Sequence, residues 1–542
     1  MLGIAALTAF TPAPTAAENL PEPVPGAASG ESAAPAAQPV PEEPTFEIRE
    51  FQLQGNTIYP TPRLLELLDD VTGEGRTAAD VERGRDLLER FYHEEGYPTV
   101  LVNIPEQSAE GGAIRLQVIE SRIGSAKVSG NRYFSTQRIL ERLPSLAPGT
   151  ILYVPDVQQE VARVNRTPDL KVTPAMSPGK QLGTVDVELK ARDQSPWHGS
   201  LELNNRNSNN TKPLRLNAAL RYDNLWNREH SLSLQYQTAP QQLDQVQVFS
   251  GSYSLPAPWH QDQTLVLYGV VSDSNTAFGE GFETQGKGTI VGGRANIPLT
   301  PYGAYSHSAL LGLDYKDFQE STGIAGSSEG EIKTPVRYLP FSFAYSGVLP
   351  DDGGLTLFSA GLNLSFRGLV SRQEDFRDKR FKARGNYLVA ILGAERRQRL
   401  PAGLGFLLKL DGQIADQPLI SNEQFAAGGM GSVRGYRESE RLGDNGFHAT
   451  VELASPDLAP VLKLGERFRM APYLFYDCAL LWVKEPLPGQ ESFMELQGTG
   501  LGLRGFLFSD LEYQLDWGFA LSDSTSVRAG DNLLHFKIKY QF

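Results

Sequence analysis

From about Asp193 to Phe542 the chain alternates apolar and polar residues with period two and shows no helical periodicity. A run of about 350 such residues can only be a large set of antiparallel strands. In PLRLNAALRY the apolar Leu214, Leu216, Ala218, Leu220 and Tyr222 are separated by polar residues that include Arg215, Asn217 and Arg221. SLSLQYQ repeats the pattern with Leu232, Leu234 and Tyr236, ALLGLDYKD with Ala309, Leu311, Leu313 and Tyr315, and FSAGLNLSF with Phe358, Leu362, Leu364 and Phe366. The closing HFKIKYQF sets Phe536, Ile538, Tyr540 and Phe542 against His535, Lys537, Lys539 and Gln541. Each strand has one apolar and one polar face, a property that a soluble sandwich shares with a membrane barrel.

Three features favour the barrel. The segments run to about ten residues or more, which suits a tilted membrane strand better than an ordinary soluble one. Aromatics gather at segment ends, as in Tyr222, Trp226, Trp259, Tyr302, Trp482 and Trp517, where interfacial girdles form. The terminal Phe542, at the end of an alternating strand, resembles the signal by which outer-membrane barrels are recognised for insertion. About sixteen candidate strands fit, an even number as bacterial barrels require. PAPWHQ, PAG and FSD read as short turns, whereas NRNSNNTK, DFQESTGIAGSSEGEIK and the residues from Ala415 to Gly446 read as long loops on the opposite side.

Composition removes other classes. The net charge of −14 has the wrong sign for a chain that neutralises phosphates, so no nucleic-acid partner is expected. After the N-terminus no stretch approaches the roughly 20 apolar residues of a membrane helix. One cysteine, Cys478, forbids an intrachain disulfide and a multi-cysteine metal site. Residues 1–17, with an apolar run from Leu2 to Phe10 and small residues ending at Ala16 and Ala17, predict a signal peptide, although the basic region expected before such a run is missing. Residues 18–45 are Pro/Ala-rich and predict an extended linker.

Between linker and barrel the sequence repeats. FEIREFQLQGNTIYPTPRLLELLDD predicts a strand, a turn at Gly55-Asn56 and a helix with Leu64, Leu65 and Leu68. Seventy-five residues later Gly130-Asn131 is followed by Ile139, Leu140 and Leu143 at the same offsets. Thr77 and Asp80 predict a capped helix with Val81, Leu87, Leu88 and Phe91 on its apolar face, and two alternating strands follow. Each unit, 46–121 and 122–193, is expected to be strand, helix, helix, strand, strand. This order resembles the polypeptide-transport-associated (POTRA) module. In the second copy VNRTPDLKVTPAMSPGKQLGTVDVELK, with Asn165, Pro168, Pro178-Gly179 and Gly183, is similar to the second POTRA of two-partner secretion transporters.

The longest loop contains Val433-Arg434-Gly435-Tyr436, which resembles the VRGY signature of the transporters that export hemolysins and hemagglutinins by two-partner secretion. The resemblance implies that the loop folds into the lumen of a barrel spanning 194–542 and that its arginine meets an acid on the wall. The matching F-x-D is Phe475-Tyr476-Asp477, with Tyr473, Phe475 and Asp477 of lumen parity and Leu474, Tyr476 and Cys478 of lipid parity. Glu452 is a second candidate partner by alternation. A guanidinium confined in a lumen needs a carboxylate, since losing either leaves an uncompensated charge. Two departures stand out. Residues 18–45 lack the apolar periodicity of the amphipathic plug helix common in the family, and the first barrel hairpin lacks the D-N-x-G opening.

The resemblance implies two POTRA modules in the periplasm and an outer-membrane barrel of a Gram-negative bacterium that exports an unfolded exoprotein, β-helical adhesin or hemolysin-like. Outer-membrane lipid is a further partner, as is the barrel-assembly machinery during biogenesis. A barrel-assembly factor of the same superfamily and an outer-membrane barrel hydrolase are the alternatives. Enzymatic signals are weak. Gly326-Ser327-Ser328-Glu329-Gly330 matches G-x-S-x-G with no strand-to-helix elbow. Gly500 to Gly505 matches G-x-G-x-x-G with no helix after it, and reads instead as a strand with small residues facing the lumen. No catalytic residue, cofactor or metal is expected.

Overall fold

A computed structural model describes residues 44–542 except 109–110, 210, 275–276, 279–281, 284–285, 323–331 and 466. The expected signal peptide, nearly all of the expected linker and the Gly326 to Gly330 motif lie outside the described residues. The chain divides into two compact units that meet between Gln194 and Ser195 in sequence.

The first unit holds two small α/β modules with the same sheet order. In one, Glu50–Gln54 runs parallel to Ala113–Ile119, which pairs antiparallel with Leu101–Asn103. In the other, Arg122–Ser129 runs parallel to Thr184–Asp193, which pairs antiparallel with Leu170–Pro178. Helices Ala78–Glu94 and Val154–Val164 lie between corresponding strands, and the Thr77/Asp80 capping box forms at the start of the first of them. Separate cores result, one around Leu64, Leu68, Leu88 and Leu116, the other around Ile139, Leu143, Val164 and Leu189.

The repeated Gly-Asn pair does the same work twice. Gly55 and Gly130 have φ of 90° and 85°, and a Cβ on either would lie 2.3 or 2.5 Å from the carbonyl oxygen of Val118 or Ala191 on its module's last strand. Asn56 Nδ2 donates to the Tyr59 carbonyl and Thr61 Oγ1, both at 3.1 Å; Asn131 Nδ2 donates to the Phe134 carbonyl at 2.7 Å and Thr136 Oγ1 at 3.1 Å. A carboxylate then closes each turn. Glu120 accepts from the main-chain N–H of Thr57 and Ile58, and Asp193 from those of Arg132, Tyr133 and Phe134. The modules meet where the Tyr97 and Tyr153 rings lie 4.9 Å apart and the Val154 N–H donates to the Gly96 carbonyl at 3.0 Å.

The second unit is a closed antiparallel barrel of sixteen strands among the described residues, the eighth interrupted at Leu339. The first strand, Trp197–Asn204, pairs with the sixteenth, Asn532–Gln541, from Ser200 opposite Gln541 to Asn204 opposite Lys537. Strands reach seventeen residues in Ser306–Thr322 and fifteen in His260–Ser274, Phe468–Trp482 and Phe493–Leu507. The apolar parity faces outward and is exposed around the wall, with Leu201, Leu234, Leu267, Leu392, Leu474 and Leu501 each about half exposed. A soluble sandwich would have covered such a face, so this belt is built for lipid.

Odd-to-even connections are long and even-to-odd ones short, with one exception. Ser455 to Arg467, joining strand twelve, Asn445–Ala454, to strand thirteen, Phe468–Trp482, is a long connection on the short-turn rim. Exposed Trp226, Trp259 and Tyr302 sit in turns of that rim. Phe542 sits there too, exchanging main-chain hydrogen bonds of 3.0 and 3.1 Å with Gly199 across the seam of first and last strands.

Candidate functional site in the barrel lumen

Loop 416–444 leaves strand eleven, Gly405–Ala415, and folds back into the lumen before strand twelve begins. Its tip is turned by Gly435, whose φ is 100° and where a Cβ would lie 2.9 Å from the Ala520 nitrogen. Val433 and Tyr436 are both fully buried, packed with Ala479, Leu481, Leu496 and Ala520 of strands thirteen to fifteen. Tyr436 Oη donates to the Ser522 carbonyl at 2.7 Å and accepts from the Ser522 N–H at 3.2 Å. The Gly435 N–H donates to Nε2 of His535 on the sixteenth strand at 3.2 Å.

Arg434, 3 % exposed, lies between these anchors. Its Nε and Nη2 donate to the two carboxylate oxygens of Asp477 at 2.7 and 2.8 Å, the side-on geometry that makes arginine–carboxylate pairs strong. Nη1 donates to Glu452 at 2.7 Å, and Asp516 lies 3.9 Å away. The guanidinium carbon sits 3.6 Å over the Phe475 ring. Glu452 is shared with Arg504 at 2.8 Å, and Thr450 donates to Asp477 at 2.8 Å. Strand parity is as expected: Tyr473, Phe475, Asp477 and Glu452 are buried inward, whereas Leu474 and Tyr476 are exposed outward.

Sequence reasoning paired Arg434 with Asp477 and Glu452 and read Gly500 to Gly505 as small residues facing the lumen, but it missed Gly498 and Gly518, which make room for the loop. A Cβ on Gly498 would lie 2.0 Å from the Arg434 carbonyl oxygen, and one on Gly518 2.5 Å from the Gly435 nitrogen. Gly500 and Gly502 likewise clear the rings of Phe475 and Tyr473. The glycine-rich strand fourteen, Phe493–Leu507, is therefore shaped by what lies across it. Asp516, which accepts from Tyr473 Oη and at 2.9 Å from Gln514, was also missed, though its inward parity beside the outward Trp517 was readable. At its base the loop is held by Arg206, donating to Glu438 at 2.9 Å, and by Asn209, donating to Glu440 at 2.8 Å. The paired Gly55-Asn56 and Gly130-Asn131 are remote in sequence from this site and serve the module turns described above. The described geometry offers the loop a fixed seat in the lumen and gathers no nucleophile with a base.

Comparisons with known proteins agree with this architecture. Residues 46–121 match the ShlB-type POTRA domain, and residues 183–317 and 358–505, together just over half of the chain, match the haemolysin secretion/activation protein ShlB/FhaC/HecB. The outer membrane transporter CdiB of Dickeya dadantii is 23% identical over 417 residues, 76% of this chain and 72% of that protein. The heme/hemopexin transporter protein HuxB of Haemophilus influenzae is 20% identical over 476 residues, 84% of this chain and 80% of that protein. The solved structure of CdiB from Escherichia coli has the same fold, with a TM-score of 0.65, 18% identity, and coverage of 94% of this chain and 93% of that one. The family is one of transporters and not of enzymes. A POTRA-bearing N-terminal unit, an outward apolar belt on a closed barrel and the family match together show that this chain belongs to the haemolysin secretion/activation family ShlB/FhaC/HecB, outer-membrane transporters of two-partner secretion whose POTRA modules are periplasmic.

Proposed function

We propose that the two periplasmic modules recruit an unfolded, hemolysin- or adhesin-like exoprotein and that the barrel conducts it outward. One observation carries the recruitment step. Past Ile123, whose main chain is bonded to Gly149 and Thr150, the border strand Arg122–Ser129 of the second module's sheet has a strand on one side only, and it contains no proline, whereas the opposite border, Leu170–Pro178, carries Pro174 and Pro178. An extended segment of cargo can add to the first border through main-chain hydrogen bonds that depend little on its sequence. The VRGY loop, seated on Asp477 and Glu452, sets the width of the lumen on the strand-thirteen side. Barrel-assembly machinery inserts the protein, with Phe542 as part of the insertion signal, and lipid covers its belt.

Deletion of the gene tests the reading. A secreted protein should vanish from the medium and return on complementation, while the other outer-membrane barrels keep their levels. A general fall in those barrels with no lost exoprotein would favour an assembly factor and refute export.

A further inference from the structure

A second loop enters the lumen without touching the arginine site. Residues 366–386, between the ninth strand, Gly354–Ser365, and the tenth, Tyr387–Arg399, carry the short helix Gln373–Lys379. Phe376 of that helix is fully buried and meets Tyr338 edge-on, 5.5 Å between ring centroids. Tyr338 belongs to one apolar core with the wall residues Val248, Val270, Phe318 and Val389, and with Leu419 and Ile420 of loop 416–444. Those wall residues stand on strands four, five, seven, eight and ten, all near the extracellular rim. Phe376 and Ala383 of loop 366–386 share that core with them, so the loop packs against the inner wall at the outer mouth.

A buried ion pair ties the loop there, with Lys382 and Glu485 forming a second, exposed pair at its edge. Arg380 Nη1 and Nη2 donate at 2.6 and 2.7 Å to the two oxygens of Asp444, whose side chain is fully buried at the base of loop 416–444. The same guanidinium donates to the carbonyls of Leu419 at 2.6 Å and Lys484 at 3.1 Å. Asp444 also accepts from the main-chain N–H of Leu419 at 2.8 Å and of Lys484 at 2.7 Å. Three loops that join different strand pairs are thus tied at one point. Burial of Phe376 is non-directional and lets the loop slide; the two-pronged pair does not. If the loop lifts, Asp444 keeps its main-chain donors and Arg380, at the mouth, gains water. The pair can therefore open and close instead of breaking once.

We propose that residues 366–386 are an exit lid of the conduit and that Arg380 and Asp444 are its latch, positioning residues that hold the outer mouth shut until an extended polypeptide pushes the lid aside. This rests on the lumen being the export path. Ion conductance reads the lid without any exoprotein, so its failure would leave the export reading standing.

Full-length protein carrying Arg380→Ala, reconstituted in planar bilayers in potassium chloride, should show a several-fold rise in conductance or open time, with Arg380→Lys in between. Conductance equal to the parent in a variant that is still heat-modifiable on gels would overturn the latch. Should Arg380→Ala not fold, a second route remains. Lys382 Nζ lies 2.7 Å from Glu485 at the lid's exposed edge. In a Cys478→Ser background, Lys382→Cys with Glu485→Cys, joined by a short reducible cross-linker, should abolish the remaining openings, and reductant should restore them. Openings that persist with the lid fully cross-linked would show that the path does not run beneath it.

Discussion

Arg434 donates two hydrogen bonds to Asp477 and a third to Glu452, so one guanidinium answers two buried carboxylates while a third, Asp516, stands 3.9 Å away. The acids outnumber the arginine, and the two partners are therefore unequal in what their loss leaves behind. Arg434→Ala strands Asp477 near Asp516, while Glu452 keeps Arg504, at a cost of about 3–5 kcal/mol. Asp477→Ala leaves Arg434 paired with Glu452 and should cost less. We expect both variants to insert and remain heat-modifiable, with secretion of the exoprotein lost in the first and reduced in the second. The double variant should resemble Arg434→Ala alone. Secretion by intact cells and protease sensitivity of loop 416–444 measure both, and equal, simply additive defects would contradict this coupling.

Gly498→Ala should displace the same loop without touching any charge, because the new Cβ would meet the Arg434 carbonyl oxygen at 2.0 Å. Gly269→Ala is the matched control, since its nearest neighbour would be the Ile290 carbonyl oxygen at an ordinary 3.8 Å. Export should fall in the first and be kept in the second.

The periplasmic fragment 44–194 should fold alone, having two cores of its own, and bind the N-terminal part of the exoprotein in preference to an unrelated unfolded protein. Asn56→Ala or Asn131→Ala removes two hydrogen bonds from a turn and should destabilise the fragment by about 1–2 kcal/mol in urea titrations. Equal binding of unrelated chains would remove the case for selective recruitment.

Acid unfolding of this fragment should involve Asp80. The Thr77 N–H, donating to its carboxylate at 2.9 Å, holds Asp80 below the ordinary value of 3.8. A depressed carboxylate contributes stability that is present above its unfolded pKa and lost as the pH falls through the folded one. Asp80→Asn should therefore lower stability at neutral pH and flatten its decline below about pH 4. Parallel stability curves for the two proteins would assign the acid sensitivity elsewhere.

Removal of residues 18–43 should leave single-channel conductance nearly unchanged, since their composition offers no apolar helix to occlude a pore. A large rise would reveal a plug in that segment.

Much of the architecture was legible because it rests on periodicities. Alternation placed Tyr473, Phe475 and Asp477 on one face and Leu474 and Tyr476 on the other, and the offset of 75 residues between Gly55-Asn56 and Gly130-Asn131 exposed the repeated module. Glu120 and Asp193 escaped notice since they close those turns from the far ends of the modules, at offsets of 65 and 63 residues from Gly55 and Gly130. Arg380 was illegible for another reason. It sits in the basic run RDKRFKAR, indistinguishable in sequence from a solvated loop, beside a helix of seven residues that is too short to show a period. The long turn from Ser455 to Arg467 broke the expected alternation of loop lengths, which is a habit of barrels and not a physical requirement.

Gly498, Gly500, Gly502 and Gly518 leave part of strands fourteen and fifteen with no side chains on the inner face. Such a wall gains nothing from its own hairpin beyond main-chain hydrogen bonds, and it becomes a packed surface only when the Phe475 and Tyr473 rings and the Arg434 turn arrive from residues earlier in the chain. A barrel closed around a misplaced loop would therefore be hollow along those strands, short of the packing that the rings and the loop supply. Strand register alone does not complete this wall; its inner layer is lent by the loop.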